Sequence, residues 1–340
     1  MNTGRDSFGP SASWERLRQR AELLRRLRDF FHTRGFLEVE TPLLSRDTVI
    51  DLHLDPLPVT LFADPRDPAA GPQFWLQTSP EFCMKRLLAT GGPPAIFQVT
   101  RAFRGGEHGQ LHNPEFTMVE WYRVGDDYAA GMALLAELAS EMLGAANVVC
   151  TSYREAFVQH AGIDPFADSN AQIRERAAQA VGAAVPDYPA EDRDSWLNLL
   201  LAECVEPRLG QTQPEILYDY PASQAALARV RPATSSAEQP TPSTDAVAER
   251  FELYVRGMEL ANGYHELLDA DMLALRQRRN NEQRRSEGKP PLPEANRLLD
   301  AMRSGLPACS GVALGFDRLV MAACGATSIS DVMAFPIDRA

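Results

Sequence analysis

Arg104 closes a run of alternating residues, Ala95 to Arg104. In it Phe97, Val99 and Phe103 point one way, and Gln98, Thr100 and Arg104 the other. After a glycine-bearing loop, Gly105 to Glu115, a second run (FTMVEWY, 116–122) sets Thr117, Val119 and Trp121 on one side. Phe116, Met118, Glu120 and Tyr122 fall on the opposite side. Paired as a hairpin, the two runs bring a guanidinium, two acceptors and an aromatic ring to one face. A half-exposed sheet with its polar side toward water is one reading of this pattern. Against it stand the loop glycines, Gly105, Gly106 and Gly109, because glycine lets backbone approach a ligand closely.

A second hairpin is expected over FELYVRGMELANGYHEL (251–267), turning at Arg256-Gly257. That turn makes Glu252 and Glu259 diagonal neighbours, roughly 7–8 Å apart. Two carboxylates so close repel unless a cation lies between them. Mg²⁺ suits the gap, since it takes one or two carboxylates and completes its shell with phosphate and water. Ordinary surface glutamates are the alternative. Asn262-Gly263 is expected to interrupt the strand and re-aim Glu266. Further along, SGVALGFDRLVM (310–321) reads as a small-residue strand, then Gly315, then a helix with Arg318 in its first turn. A cation there opposes the helix dipole and calls for an anion, either Asp317 or a ligand phosphate.

The elements that hold these segments are also legible. Trp14, Leu17, Ala21, Leu24 and Leu27 recur at helical spacing from Ser13, a cap, to Arg34, with Gly35 as the stop. The other face of that helix carries Arg16, Arg18, Arg20, Arg25, Arg26 and Arg28. It is either solvated or a docking patch for an acidic partner. The same two readings apply to a helix over 270–286 with Arg276, Arg278, Arg279, Arg284 and Arg285. A short strand is expected over Phe36–Thr41, closed by Pro42, and helices over 128–145 and 168–183. Together these predict an α+β fold, an antiparallel sheet flanked by helices. Residues 1–12 read as a flexible tail, 13–340 as a single catalytic domain, and about 231–245 as a mobile loop rich in Pro, Ser and Thr.

Composition narrows the function classes. The chain has 340 residues, 44% hydrophobic and 24% charged, an ordinary globular profile. With 34 basic against 46 acidic residues its net charge is −12, which excludes a general nucleic-acid binder resting on a basic surface. No apolar run approaches the roughly 20 residues of a membrane-spanning helix, and the first residues lack a signal-peptide core. Five cysteines without a CxxC pair argue against a disulfide framework or zinc ribbon. A cytoplasmic protein is expected.

Taken in order, the segments resemble the class II aminoacyl-tRNA synthetases. GFLEVETPLL (35–44) is similar to their motif 1, FRGGEHGQLHNPEFTMVEWY (103–122) to motif 2 and GVALGFDRLVM (311–321) to motif 3. TSPEFCMKRLL (78–88), HNPEFTMVEWY (112–122) and ERFELYVRGMELANGYHEL (249–267) resemble the lysine enzymes in particular. Lysyl-tRNA synthetases carry an OB-fold anticodon domain before motif 1, and the 34 residues ahead of Gly35 have no room for its five strands. The chain is therefore similar to the stand-alone branch of lysyl enzymes, which joins (R)-β-lysine to a lysine side chain of the protein elongation factor P. A truncated lysyl-tRNA synthetase-like enzyme, charging tRNA or another small acceptor with lysine, is the alternative. Ala313 favours the former, because lysyl-tRNA synthetases usually have Gly there.

The resemblance implies an ATP-dependent reaction through an aminoacyl-adenylate, Mg²⁺ with the nucleotide, elongation factor P and β-lysine as partners, no tRNA, no membrane, and a homodimer. It assigns Arg104 to the α-phosphate and substrate carboxylate and Arg318 to the outer phosphates. Phe116 is implied to stack on adenine, with His112, Asn113, Leu260 and Gly315 beside the nucleotide and Glu252 and Glu259 on the metal. Ser79, Pro80 and Glu81 are implied to hold the amine near the carboxylate. Glu120, Tyr122 and Glu266 are implied to take the distal ammonium, with Asn262 nearby and Ala313 on the pocket wall. Motif 2 usually reads Phe-Arg-Asn-Glu, whereas this chain has Phe103-Arg104-Gly105-Gly106 and then Glu107. Either Glu107 substitutes through the glycines or that nucleotide contact is weakened.

Overall fold

The computed structural model describes residues 8–232, 245–294 and 296–340. The loop expected at 231–245 thus lies, from 233 to 244, outside the described residues, as do residues 1–7 of the expected tail. Of the remainder of that tail, Ala12 is buried, and the N–H groups of Ser11 and Ala12 donate to the carbonyls of Ala334 and Met333. The chain divides into two compact units, one running to Gly125 and resuming at Leu267–Ala340, the other Asp126–Glu266.

In the first unit the chain runs α1 (Trp14–Thr33), β1 (Leu37–Glu38), β2 (Leu44–Ser45), β3 (Pro58–Thr60), β4 (Gln73–Leu76), α2 (Glu81–Ala89), β5 (Ala95–Phe103) and β6 (Glu115–Val124). Ser13 caps α1 by accepting from the Arg16 N–H, and Gly35 follows its end at φ +78°, a conformation glycine takes without strain. The apolar stripe expected of α1 needs correction. Trp14 is 69% exposed and Ala21 points outward, while Leu23, Leu27, Phe30 and Phe31 are buried. The two phenylalanines set the buried face at i, i+4, i+7 and i+8. Phe31 stacks on Phe97 at 4.6 Å and meets Trp121 at 5.1 Å and Phe36 at 5.2 Å. Burying each ring contributes about 2–3 kcal/mol, so α1 is fastened to the odd-numbered side of β5 and β6. The strand expected over Phe36–Thr41 shrinks to β1, because its parallel pairing with β5 holds for Leu37 and Glu38 alone.

The second unit contains α3 (Tyr128–Leu143), β7 (Val149–Ser152), α4 (Tyr153–His160), α5 (Asn170–Val181), α6 (Arg193–Leu200), β8 (Glu215–Pro221), β9 (Val230–Pro232), β10 (Ala246–Val255) and β11 (Met258–His265). Its strands lie in the order β11-β10-β8-β7, with β9 also on β10. The core gathers Tyr153, Phe157, Trp196, Leu197, Leu217 and Tyr220, and Tyr153 stacks on Phe157 at 4.3 Å. The chain then returns to the first unit with α7 (Ala270–Ser286), α8 (Arg297–Gly305), β12 (Cys309–Gly315) and α9 (Phe316–Cys324). There the sheet order is β1-β5-β6-β12, and a small sheet, β2-β4-β3, stands apart. The expected α+β architecture holds, a largely antiparallel sheet flanked by helices, with parallel pairing at β1–β5 and β7–β8.

Several of the arginines read as docking faces are engaged within the fold. Arg25 bonds Glu22 and Asp29, each at 2.6 Å, Arg28 bonds Glu38, and Arg20 bonds Asp317. On α7, Arg284 is 2% exposed and donates to the carbonyls of Asp51, Leu54 and Pro290, with Asp55 as counter-charge at 2.9 Å. It ties a loop to the helix, and a buried arginine of this kind offers nothing to a partner.

Candidate active site

In the first unit, β6 lies between β5 and β12 without a register slip. Gln98 and Ala313 both stand opposite Glu120, Ile96 and Gly311 opposite Tyr122, and Thr100 and Gly315 opposite Met118. Side chains alternate along a strand, so these residues share one face, and the opposite face carries the Phe97 and Trp121 that α1 covers. Gly311, Ala313 and Gly315 make a low track along β12, so the space above it belongs to the neighbouring Tyr122, Glu120 and Met118. Glu120 is 1% exposed and accepts from the Tyr122 hydroxyl at 2.6 Å.

Beside this face α2 begins at Glu81, just after Pro80, with the Ser79 hydroxyl accepting from the Glu81 N–H. Ser79 and Glu81 are both buried. One residue absent from the sequence reading completes the group. Lys85, 2% exposed, bonds Glu81 at 2.5 Å and stands 5.8 Å from the Tyr122 ring centroid. The signal was available as a Glu–Lys pair at i, i+4 in TSPEFCMKRLL. Lys85 is a counter-charge for Glu81, so the net negative charge of the group is smaller than its carboxylates alone would give.

Arg104 leaves the end of β5 with its guanidinium 5.0 Å from the centroid of Phe116. Its Nη1 lies 3.5 Å from Glu107, and its buried Nε has no hydrogen-bond partner. Glu107 thus pairs with Arg104 within the loop, where Gly106 takes φ +78°. Gly105 is needed for a second reason: a Cβ there would meet the Asp55 carbonyl oxygen at 3.2 Å. The loop closes on itself through paired hydrogen bonds between Gly109 and His112. Asn113 is engaged at both ends, donating to the Glu115 carbonyl and accepting from the Ile337 N–H. It holds the loop in shape.

Asp317 is not the anion for Arg318. It bonds Arg20 at 2.6 Å through one oxygen and accepts the Thr117 N–H at 2.6 Å through the other. Arg318 donates to the His112 ring at 2.7 Å and to the Leu111 carbonyl. The His112 pKa is lowered, first by burial and next by the Arg318 charge, so the imidazole is neutral and accepts.

In the second unit the expected turn is present, with Arg256 at φ 52° and Gly257 at φ 74°. Tyr254 pairs with Glu259, but a bulge follows, so Leu253 pairs with Ala261 and Glu252 with Asn262. Glu252 and Glu259 keep a common face, and the extra residue is Leu260, buried at 2% exposed. The interruption expected at Asn262-Gly263 is therefore corrected. β11 continues through both, and Gly263 pairs with Phe251. Glu266 follows the strand end, 1% exposed, where Ala228 forms a bridge with it and Arg229 donates to its carbonyl.

Glu252 is corrected as well. Both of its oxygens accept hydrogen bonds, from Arg250, Asn262, Tyr220 and Tyr254. Among the described residues no cluster of three or more His, Cys, Asp or Glu could hold a metal ion. Glu259 is half-buried on the hairpin face and fits a cation carried by a nucleotide, whereas Glu252 does not fit as a direct ligand.

Known proteins similar to this chain share its family and its length. The family model for class II tRNA synthetases (D, K and N) matches residues 10–339. Proteins from Salmonella arizonae and Salmonella typhi named elongation factor P–(R)-β-lysine ligase are each 46% identical to this chain over 334 residues, 98% of both sequences. A Salmonella paratyphi B protein of the same name matches to the same extent, 46% over 334 residues.

Proposed function

The chain belongs to the class II tRNA synthetase family (D, K and N), and on that premise we propose that it joins (R)-β-lysine to a lysine side chain of elongation factor P at the expense of ATP. It is a ligase. The observation that carries the reading is the full-length match, at 46% identity, to relatives named for that reaction.

The chemistry has two halves. The amino-acid carboxylate attacks the α-phosphorus of ATP, pyrophosphate leaves and an acyl-adenylate forms. The ε-amine of the acceptor then attacks the acyl carbon, loses a proton and expels AMP. In the first half the protein positions reactants and meets the charge that grows on phosphate oxygens. Arg104 serves the α-phosphate and the substrate carboxylate. Its guanidinium and the ring of Phe116, 5.0 Å apart, give adenine and phosphate adjacent partners. Glu107 steadies Arg104, while Arg318 and the neutral His112 serve the outer phosphates. Asn113 supports them through the loop, and Gly315 leaves room above β12.

A diamino acid brings two ammonium groups that need acceptors once desolvated. Ser79, Pro80 and Glu81 take the amine near the carboxylate, with Lys85 lowering the net negative charge there. Glu120 and Tyr122 take the distal one, and Glu266 and Asn262 supply further acceptors. Ala313, opposite Glu120, adds one methyl to the floor beside the substrate. That methyl trims α-lysine in favour of an isomer whose amine sits one carbon along. The nucleotide arrives with Mg²⁺, as is typical of the family, and Glu259 and Leu260 of the β10–β11 hairpin are the residues assigned to serve it. The enzyme acts as a homodimer in the cytoplasm, without tRNA. No helix among the described residues is long and apolar enough to cross a membrane.

ATP–pyrophosphate exchange tests the first half. Exchange stimulated by (R)-β-lysine well above that by α-lysine is expected. Absence of exchange with either isomer would refute the reading.

A further inference from the structure

Glu252 has only 3% of its surface exposed. Its Oε1 accepts from Arg250 Nε at 3.1 Å, Arg250 Nη2 at 2.5 Å and Asn262 Nδ2 at 2.8 Å. Its Oε2 accepts from the hydroxyls of Tyr220 at 2.5 Å and Tyr254 at 2.7 Å. A carboxylate offers about four lone-pair directions, and these contacts fill them. A magnesium ion bound directly, at about 2.0–2.1 Å, would have to displace at least one donor. The donors are themselves secured. Arg250 donates to the Gln224 carbonyl and lies 4.4 Å from the Tyr220 ring centroid. Burial, and next the Glu252 charge, raise both tyrosine pKa values well above the ordinary range, so their hydroxyls stay protonated and donate.

The bulge at Leu260 gives this arrangement a purpose. Without it Ala261 would stand opposite Glu252; with it Asn262 does. An ionised carboxylate only accepts, so it holds the nitrogen end of the Asn262 amide toward itself and turns the oxygen end away. That Oδ1 is buried and has no hydrogen-bond partner. An acceptor fixed in this way suits an N–H-bearing cation.

We propose that Glu252 is a positioning residue, not a magnesium ligand: it clamps the Asn262 amide so that Oδ1 is presented to an ammonium group of the amino-acid substrate. The assignment rests on the ligase reading above and adds to it the group that orients one of its substrate acceptors.

Equilibrium dialysis of labelled (R)-β-lysine against the full chain, without metal or nucleotide, reads the clamp apart from any magnesium effect. Glu252→Gln, whose amide both donates and accepts, releases the orientation of Asn262 and should weaken binding about tenfold. Asn262→Ala should weaken it by about as much, and the double variant no further, since the two act as one unit. The magnesium concentration giving half-maximal pyrophosphate exchange should not move in Glu252→Gln. Unchanged metal-free binding, a raised magnesium requirement, or additive losses in the double variant would each overturn the proposal. Glutamine leaves Arg250 buried without its counter-charge and can impair folding. Glu252→Asp keeps the charge while withdrawing it from Asn262, and the same loss is expected; wild-type binding by that variant would overturn the proposal. Should the wild-type chain bind neither lysine isomer, the ligase reading itself fails and the assignment goes with it.

Discussion

Two antiparallel strand pairs carry many of the candidate site residues, and they treat those residues differently. Between β5 and β6 the register runs from Ala95 opposite Arg123 to Phe103 opposite Glu115 without a slip, so every second residue lands on the same face. Between β10 and β11 a bulge adds Leu260 and brings Asn262 opposite Glu252. The regular pair forms a platform that spreads its groups in a row over a low strand of Gly311, Ala313 and Gly315. The bulged pair gathers its donors onto one carboxylate. A regular register presents chemistry, and a bulge concentrates it on the protein itself. Substitutions on the platform should therefore change catalysis with little effect on stability, whereas those around Glu252 should change both.

The sharpest break in that contrast comes from Arg104→Ala. Removing a cation from the developing phosphate charge should lower kcat/KM for pyrophosphate exchange about 10²–10³-fold, with the thermal unfolding midpoint close to wild type. A loss below about tenfold, or a collapse of stability, would move Arg104 from the chemistry to the scaffold. Next in size is Ala313→Gly. A single methyl at a pocket wall is worth about 1–3 kcal/mol, so the preference for (R)-β-lysine over α-lysine should fall about tenfold or more when both isomers are compared in exchange. An unchanged ratio would place the selectivity elsewhere on the platform.

The smallest effect concerns pH. His112 titrates below the ordinary histidine range, because burial and then Arg318 disfavour its charged form. In the unfolded chain it takes up a proton first, as pH falls through about 6.5, so its contribution to stability rises with pH in that window and is lost toward acid. Protonation also turns the Arg318 contact from attraction to repulsion. Exchange activity should fall about two- to threefold more steeply on the acid side in wild type than in His112→Asn. Identical acid limbs would show that the contact carries nothing in solution.

Much of this was legible because period two and period 3.6 are local properties. The face bearing Phe116, Glu120 and Tyr122, the cap at Ser13, and the turn at Arg256-Gly257 all follow from neighbours in the chain. Three matters did not. The buried stripe of α1 depended on where Phe97 and Trp121 lie, which no helical spacing reports. The bulge at Leu260 leaves no mark in FELYVRGMELANGYHEL, since Asn-Gly advertises a break that the strand does not take. The partner of Asp317 is Arg20, nearly the whole chain away, so the local Asp317–Arg318 pairing was the natural error. Lys85 was within reach as an i, i+4 partner of Glu81, and a basic residue in a site for a cation drew no notice.

The claim at the centre of the account is that the activated amino acid passes to a protein. Incubating the purified chain with ATP, magnesium and (R)-β-lysine, once with elongation factor P and once with lysine tRNA, then weighing the products by intact-mass spectrometry, tests it directly. The account predicts one added β-lysyl group on a lysine of elongation factor P and unmodified tRNA. Acylated tRNA beside unchanged elongation factor P would contradict it.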